Sequence, residues 1–150
     1  LEFYKHSLDH IIEAPFFGSG IGTWKLYSIK HNIERMIDYQ VPNDAHNDFL
    51  QIGAESGLIG LFLYLSIFIF IFLSLLKIFL FSTFDSKTKF LSSFLLISIF
   101  IYFADANLNF PRVRGISQLN LIFLSAIVAS YNQILIGRIK IWKNLLINNL

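Results

Sequence analysis

Residues 57–76 read GLIGLFLYLSIFIFIFLSLL, and none of them is charged. A helix rises about 1.5 Å per residue, so a run of this length spans about 30 Å, the thickness of the hydrocarbon core of a bilayer. Unbroken apolar runs also differ from the alternating pattern of a membrane β-barrel strand. The stretch therefore predicts a membrane-spanning helix.

The composition of the whole chain supports a membrane class. Of its 150 residues, 55% are hydrophobic and 17% aromatic, and only 15% are charged, against about a quarter in soluble domains. The mean hydropathy is +0.59. There is no cysteine, which excludes disulfides, thiolate metal sites and cysteine nucleophiles.

The charges are distributed asymmetrically. Residues 1–56 carry four basic and eight acidic side chains, a net −4, so the remaining residues sum to +6 within the overall +2. Because the basic residues flank apolar runs instead of forming one patch, the pattern argues against a nucleic acid partner.

Two further apolar runs follow the first. Together they predict an all-α polytopic membrane protein, with an outer loop containing amphipathic helices followed by three transmembrane helices. Buried helices of a large soluble protein are the alternative, which three such runs disfavour. The predicted segments are an outer loop at 1–56, transmembrane helices at 57–81, 90–108 and 116–137, turns at 82–89 and 109–115, and a basic tail at 138–150. Because the first residue is Leu and not Met, we expect a fragment whose upstream helices complete the bundle.

Orientation follows from the basic residues in the short loops. The loop after the first span and the tail after the third contain Lys77, Lys87, Lys89, Arg138, Lys140 and Lys143. Both segments are therefore predicted to be cytoplasmic, which places residues 1–56 and the 109–115 turn on the outer side of the membrane. Arg112 and Arg114 lie in that outer turn, although basic residues are expected mainly in cytoplasmic loops. This exception makes them candidates for function. Contact with lipid phosphates is the alternative.

The outer loop begins with an amphipathic pattern. Over residues 1–14, Phe3 or Tyr4, Leu8, Ile11 and Ile12 recur at helical spacing, which predicts a helix suited to a membrane surface. Pro15 ends it.

The turn that follows is rich in glycine. Residues 15–24 read PFFGSGIGTW, with Gly18, Gly20 and Gly22 in alternation. The spacing is not that of a dinucleotide-binding loop. His6 and His10 precede it four residues apart, but no third ligand accompanies them, so no metal site is predicted.

The candidate chemistry lies in residues 42–60, PNDAHNDFLQIGAESGLIG. Asn43 or Asp44 is a suitable N-cap, which would place His46 and Asn47 in the first turns of a helix leading into the first span. A helix N-terminus disfavours imidazolium and favours anions, and a neutral imidazole can accept a proton from a sugar hydroxyl. A capping histidine beside packing glycines is the alternative.

These residues resemble a known family. His46–Asn47 followed by Gly57 and Gly60 is similar to the pattern in the outer loop of bacterial O-antigen ligases and the related O-antigen polymerases. The glycine-rich turn resembles the segment that precedes this histidine in the family. The NFPRVR stretch at 109–114 is similar to a corresponding outer turn in some members.

The resemblance implies an inner-membrane glycosyltransferase with a GT-C-like helical bundle that needs no metal or cofactor. Its donor would be an undecaprenyl-diphosphate-linked glycan and its acceptor a glycan or lipid A-core, joined on the periplasmic face. His46 would be the catalytic base. The residues implied to bind substrate are Asn47, Arg35, Arg112 and Arg114. Those implied to form the structural motif are Gly57, Gly60, Gly18, Gly20 and Gly22. Arginines suit a diphosphate because a guanidinium donates two parallel hydrogen bonds.

Several alternatives stay open. Ligases and polymerases share the loop, and the fragment alone is expected to be inactive. A transporter or flippase would do no covalent chemistry, but the continuous, uncharged first span disfavours it. A structural or sensory membrane domain is a third possibility. Arg35 has the alternative of a solvated pair with Glu34, and Asp105 is expected to orient His46 or to pair with Arg112.

Overall fold

The computed structural model describes residues 2–32, 43–80 and 85–148, and this part of the chain consists of helices and turns without a strand. The helices are α1 (Glu2–Glu13), α2 (Thr23–Asn32), α3 (Asp48–Leu80), α4 (Ser86–Leu108) and α5 (Gly115–Asn148), with a short 3-10 helix at Pro111–Val113. The all-α prediction is therefore confirmed.

Two helices of the described residues, α3 and α4, are long and apolar enough to cross a membrane. They contain the predicted first and second spans. The predicted third span lies within α5, which is helical, while its crossing of a membrane stays a prediction. The predicted topology likewise stays a prediction.

Two predicted boundaries differ from the helices. The segment 82–89, predicted as a connection between spans, already contains the first residues of α4, which begins at Ser86. There the Thr88 hydroxyl donates a hydrogen bond to the Asp85 carboxylate over 2.5 Å and orders the helix start. The predicted basic tail, 138–150, is helical as far as Asn148. It contains neither proline nor glycine, so nothing in its sequence ends the helix after the apolar run.

The core of the helix bundle lies between α3, α4 and α5. Its buried side chains are Phe49, Phe68, Ile71, Leu75, Leu95, Ile99, Tyr102, Ala106 and Val128. Phe49 lies in the first turn of α3, and its ring packs 5.7 Å from Phe68 and 5.0 Å from Phe103 between centroids. These contacts hold the start of α3 against α4.

Residues 2–32 and 43–56 form a second unit, which we call the N-terminal region. Helix α1 packs on the start of α3 so closely that a Cβ at Gly53 would lie 2.9 Å from Ile11. Trp24 is fully buried, and its indole N–H donates to Ser7 Oγ over 2.8 Å. The predicted apolar stripe of α1 is therefore divided, since Ile11 faces the protein while Leu8 and Ile12 are exposed. A membrane-surface position for α1 stays a prediction.

Helix α3 is kinked at Gly57, whose φ of 69° and ψ of −175° are not helical. A kink breaks the helical hydrogen-bond ladder, so its backbone groups need other partners. The glycine-rich turn supplies them: Leu58 N–H donates to Pro15 O over 2.7 Å, and Gly20 N–H donates to Glu55 O over 2.9 Å. The turn is thus joined to α3 by main-chain hydrogen bonds in both directions.

This joint requires glycine on each side of it. A Cβ at Gly57 would overlap the Phe16 carbonyl, and a Cβ at Gly18 would overlap the Glu55 carbonyl. A Cβ at Gly60 would collide with the Ser56 side chain, which lies against position 60 beside the kink. The spacing of the two α3 glycines therefore reflects the geometry of one kink.

Candidate functional site

His46 lies just before α3 and not within its first turn. The N-cap of α3 is Asn47, whose Oδ1 accepts a 3.0 Å hydrogen bond from Leu50 N–H. The predicted N-cap at Asn43 or Asp44 is therefore wrong. The chain turns at His46, which adopts a left-handed φ of 54°, and the helix can begin only after that turn.

The imidazole of His46 is exposed and flanked by two aromatic rings. It stacks on Phe3 of α1 at a centroid distance of 6.1 Å and meets the Phe110 ring edge-on at 5.0 Å. Its left-handed backbone is uncommon for a residue other than glycine, and strain of this kind costs about 1–3 kcal/mol, which the surrounding contacts must offset. Such strain is found at functional sites more often than elsewhere.

The Asn47 side chain is buried, and its amide oxygen and amide nitrogen each form a hydrogen bond with the backbone. Its Oδ1 caps α3, and its Nδ2 donates over 3.1 Å to the carbonyl of Asn107, near the end of α4. Tyr4 of α1 donates to the same carbonyl over 2.9 Å. These contacts join three helices directly beside His46. The predicted substrate-binding role of Asn47 stays a prediction.

Arg112 pairs with two buried carboxylates of α3. Its backbone N–H donates to Asp48 Oδ2 over 2.8 Å, its Nε lies 3.8 Å from Asp48 Oδ1, and its Nη2 lies 3.5 Å from Glu55 Oε2. A buried carboxylate is costly without a counter-charge, and the Arg112 guanidinium provides one. Within the structure, Arg112 therefore holds the turn after α4 against α3.

Asp48 and Glu55 are neighbours of the candidate site that the sequence did not single out. They lie seven residues apart, two helical turns, and so share one face of a helix that leads into an apolar span. That spacing was the available signal. Gln51, one turn after Asp48, donates from Nε2 to Glu55 Oε1 over 3.3 Å, and its Oε1 accepts from Ala45 N–H over 3.1 Å. This network anchors the loop that carries His46.

Arg114 is placed differently from Arg112. Its side chain is 48% exposed, against 27% for Arg112. Its Nη1 lies 3.8 Å from Asp105 Oδ2, and its Cζ lies 4.9 Å from the centroid of Phe110. The imidazole centroid of His46 lies 5.0 Å from the centroid of the same Phe110 ring. The imidazole centroid and the guanidinium carbon are therefore at most about 10 Å apart. Arg114 is thus the more accessible arginine near His46.

Asp105 does not fit the prediction made for it. It was expected to orient His46 or to pair with Arg112, but its carboxylate pairs with Arg114 and accepts a 2.7 Å hydrogen bond from Asn109 Nδ2. Asn109 caps the end of α4, so Asp105 belongs to the α4–α5 turn.

The other predicted positions lie elsewhere. Arg35 falls outside the described residues. His10 bonds to Ser19 Oγ over 2.5 Å and stacks on Tyr27 at 4.0 Å, within the N-terminal region. Gly20 and Gly22 belong to the glycine-rich turn, both with positive φ. Within residues 2–32, 43–80 and 85–148, no three His, Cys, Asp or Glu side chains are grouped so as to hold a metal ion.

The comparisons with known proteins give one match. Residues 1–65 match the family model described as O-antigen ligase. No curated protein and no solved structure matches the chain. The family indicates a ligase-like or polymerase-like role in polysaccharide biosynthesis, and with the two apolar helices it indicates a membrane protein. Over residues 1–65, which contain His46, the glycine-rich turn and both glycines of the kink, the resemblance to the O-antigen ligase family is confirmed.

Proposed function

We propose that the chain belongs to a glycosyltransferase of the inner membrane that moves a glycan from undecaprenyl diphosphate to an acceptor hydroxyl on the periplasmic face. One observation supports this most directly. An exposed imidazole, His46, is held on a strained backbone within about 10 Å of an accessible guanidinium, Arg114. A proton acceptor and a counter-charge for a diphosphate therefore lie close to each other, beside the ends of two apolar helices.

The chemistry assigns a role to each group. The acceptor oxygen forms a bond to the anomeric carbon of the donor while its proton passes to a ring nitrogen of His46. The bond between that carbon and the diphosphate oxygen breaks, and its electron pair leaves with undecaprenyl diphosphate. The Arg114 guanidinium offsets the charge that develops on the leaving group. Arg35 remains a proposed second donor to the diphosphate.

Phe3 and Phe110 orient the imidazole. Stacking on one ring and an edge contact with the other restrict its rotation, while one side stays open to the acceptor. Holding the base in one orientation reduces the entropy lost on reaching the transition state.

The test replaces His46 in the full-length protein with asparagine, which tolerates a left-handed backbone and cannot serve as the base. Glycan transfer from the lipid-linked donor should fall by about a hundredfold or more. His6→Ala, a histidine of α1 on the same region of the molecule, is the matched control and should retain transfer. Normal transfer by His46→Asn, at equal protein level in the membrane, would refute the catalytic role.

A polymerase remains the second candidate, because the matched family supports a polymerase-like role as well and the same site would serve it. The two differ in acceptor, and a cell lacking the gene separates them. Polymer left on the lipid carrier indicates a ligase, whereas single repeat units on the carrier indicate a polymerase. A transporter is less well supported, since α3 has no charged residue and no break between Leu58 and Leu76.

A further inference from the structure

A cleft of about 570 Å³ lies between α4 and α5, near the ends that meet at the α4–α5 turn. Its size is within the range of pockets that hold small ligands. One part of its wall is polar, formed by Ser98 and Asp105 of α4 and by Ser117 and Asn120 of α5. Asp105 is three residues before the end of α4 and Asn120 five residues after the start of α5, so both lie within about 8 Å of those ends.

The polar wall is only partly used by the protein itself. Neither Ser117 nor Asn120 takes part in a side-chain hydrogen bond with the described residues. Asp105 is still 32% exposed after pairing with Arg114. Within the predicted second and third spans, polar side chains without a partner are costly unless they line a wet cavity or bind a polar ligand. The cleft therefore suits an occupant rich in hydrogen-bonding groups.

The side chains match the chemistry of a sugar ring. A carboxylate accepts hydrogen bonds from hydroxyls, and an amide both donates and accepts them, so Asp105 and Asn120 can bind neighbouring hydroxyls of one ring. Phe123 lines the same cleft and offers an apolar surface to the C–H face of a pyranose. Among the described residues, none that lines the wall has a positive side chain, which distinguishes the wall from a diphosphate site.

The cleft is connected to the candidate catalytic residues. Asp105 pairs with Arg114, and Arg114 lies over the Phe110 ring that contacts His46. We infer that the α4–α5 cleft is a subsite for a pyranose ring of the glycan substrate, with Asp105 and Asn120 as its hydrogen-bonding residues. The inference rests on the proposed function, because it assumes that a glycan is the substrate. The ring can come from the donor or from the acceptor.

The test measures binding by the full-length protein in the His46→Asn background, so that the ligands are not consumed. Asn120→Leu removes the amide and fills part of the cleft. Gln133→Leu makes the same kind of change at an exposed α5 position outside the cleft and is the matched control. Three ligands are compared: the lipid-linked glycan, the acceptor glycolipid, and undecaprenyl diphosphate without a glycan.

Asn120→Leu should raise the Kd of one of the two glycans about tenfold, the loss expected for one or two hydrogen bonds. The Kd of undecaprenyl diphosphate should not change, and Gln133→Leu should behave like the parent. The affected glycan identifies the source of the ring. An unchanged Kd for both glycans would overturn the inference, and so would an equal loss of undecaprenyl diphosphate binding.

A second variant covers the case in which Asn120→Leu does not fold. Residues 1–150 contain no cysteine, so in the full-length protein, with any cysteine outside them replaced, Asn120→Cys is the single thiol. A charged methanethiosulfonate reagent should label this thiol, and the bound glycan should slow the labelling. A thiol that resists the reagent without ligand would show that another part of the protein covers the cleft, which overturns the inference.

The outcomes for the subsite and for catalysis are separable. Loss of transfer in His46→Asn, with glycan binding unchanged by Asn120→Leu, would leave the proposed function in place and remove only the subsite. Normal transfer by His46→Asn, with glycan binding weakened by Asn120→Leu, would remove the base and keep a glycan-binding cleft.

Discussion

The two parts of α3 on either side of Gly57 are built in opposite ways. Before the kink, Asp48 and Glu55 are 0% and 3% exposed, and their carboxylates face Arg112. After the kink, apolar side chains are exposed, including Phe62 at 70%. The first part therefore buries charge inside protein, and the second presents apolar surface where lipid is expected. One helix can therefore lie partly in protein and partly in an apolar environment when its backbone hydrogen bonds are interrupted between the two parts.

The glycine-rich turn makes this division possible. It supplies hydrogen-bond partners to the backbone on both sides of the kink, so that neither part of α3 loses them. The same turn joins the N-terminal region to the main chain of α3. His46 lies at the far end of the first part, just before α3 begins at Asp48.

The largest expected effect comes from Gly57→Ala, which acts on the kink itself. A left-handed φ and a clash with the Phe16 carbonyl would together destabilise the protein by about 3 kcal/mol or more. Reversible unfolding of the full-length protein in detergent would measure this. Gly115→Ala is the control, because a Cβ there meets nothing within 4 Å, and its effect should be within about 0.5 kcal/mol. Equal stability of the two variants would contradict the proposed importance of the kink.

The second effect separates the two arginines. Arg112→Met would leave the Asp48 and Glu55 carboxylates buried without their counter-charge. We expect the free energy of unfolding to fall by about 2–3 kcal/mol. This is less than the loss for a fully buried pair, because Arg112 is partly exposed. Arg114→Met would remove a half-exposed pair and cost about 0–1 kcal/mol, while lowering glycan transfer.

Unfolding and transfer assays on both variants test this contrast. Combining Arg112→Met with Asp48→Asn and Glu55→Gln should restore part of the lost stability, since no unpaired carboxylate remains. If the combined variant is as unstable as Arg112→Met alone, the ion pairs are not what Arg112 contributes.

The smallest effect concerns the helix start. Asn47→Ala would remove the cap of α3 and cost about 1 kcal/mol. Asn43→Ala, at one of the two positions predicted for the cap from the sequence, should be close to neutral. Unfolding free energies of the two variants decide between the positions. A larger loss in Asn43→Ala would mean that the helix begins earlier than the structure indicates.

Much of the fold was predictable because hydropathy is a local property. The apolar runs that predict the first and second spans lie in α3 and α4, and charge-free length alone identified them. The helix start was harder, since Asn43, Asp44 and Asn47 all carry a capping side chain. In the structure Asn47 is distinguished by the left-handed turn at His46 before it and by the Asn107 carbonyl, 60 residues away in the chain, which accepts from its side chain.

The site was predictable in its residues but not in its pairings. Arg112 and Arg114 are two residues apart, and both lay in one predicted turn. Arg112 lies inside the 3-10 helix, whereas Arg114 follows its end with an extended backbone, so the two side chains leave the turn in different directions. One therefore reaches the carboxylates of α3 and the other reaches Asp105 and Phe110. No pattern in the turn itself shows which arginine does which.

By itself, the sequence determined that the chain is helical, where its apolar runs lie, and that His46 and the glycines of residues 15–60 follow a family pattern. These properties depend on neighbouring residues and on composition. Only the tertiary structure decided that Gly57 breaks α3, that Arg112 neutralises buried carboxylates, and that Arg114 stands near His46. Those facts depend on contacts between distant segments, where burial and charge pairing set the energy and local pattern does not.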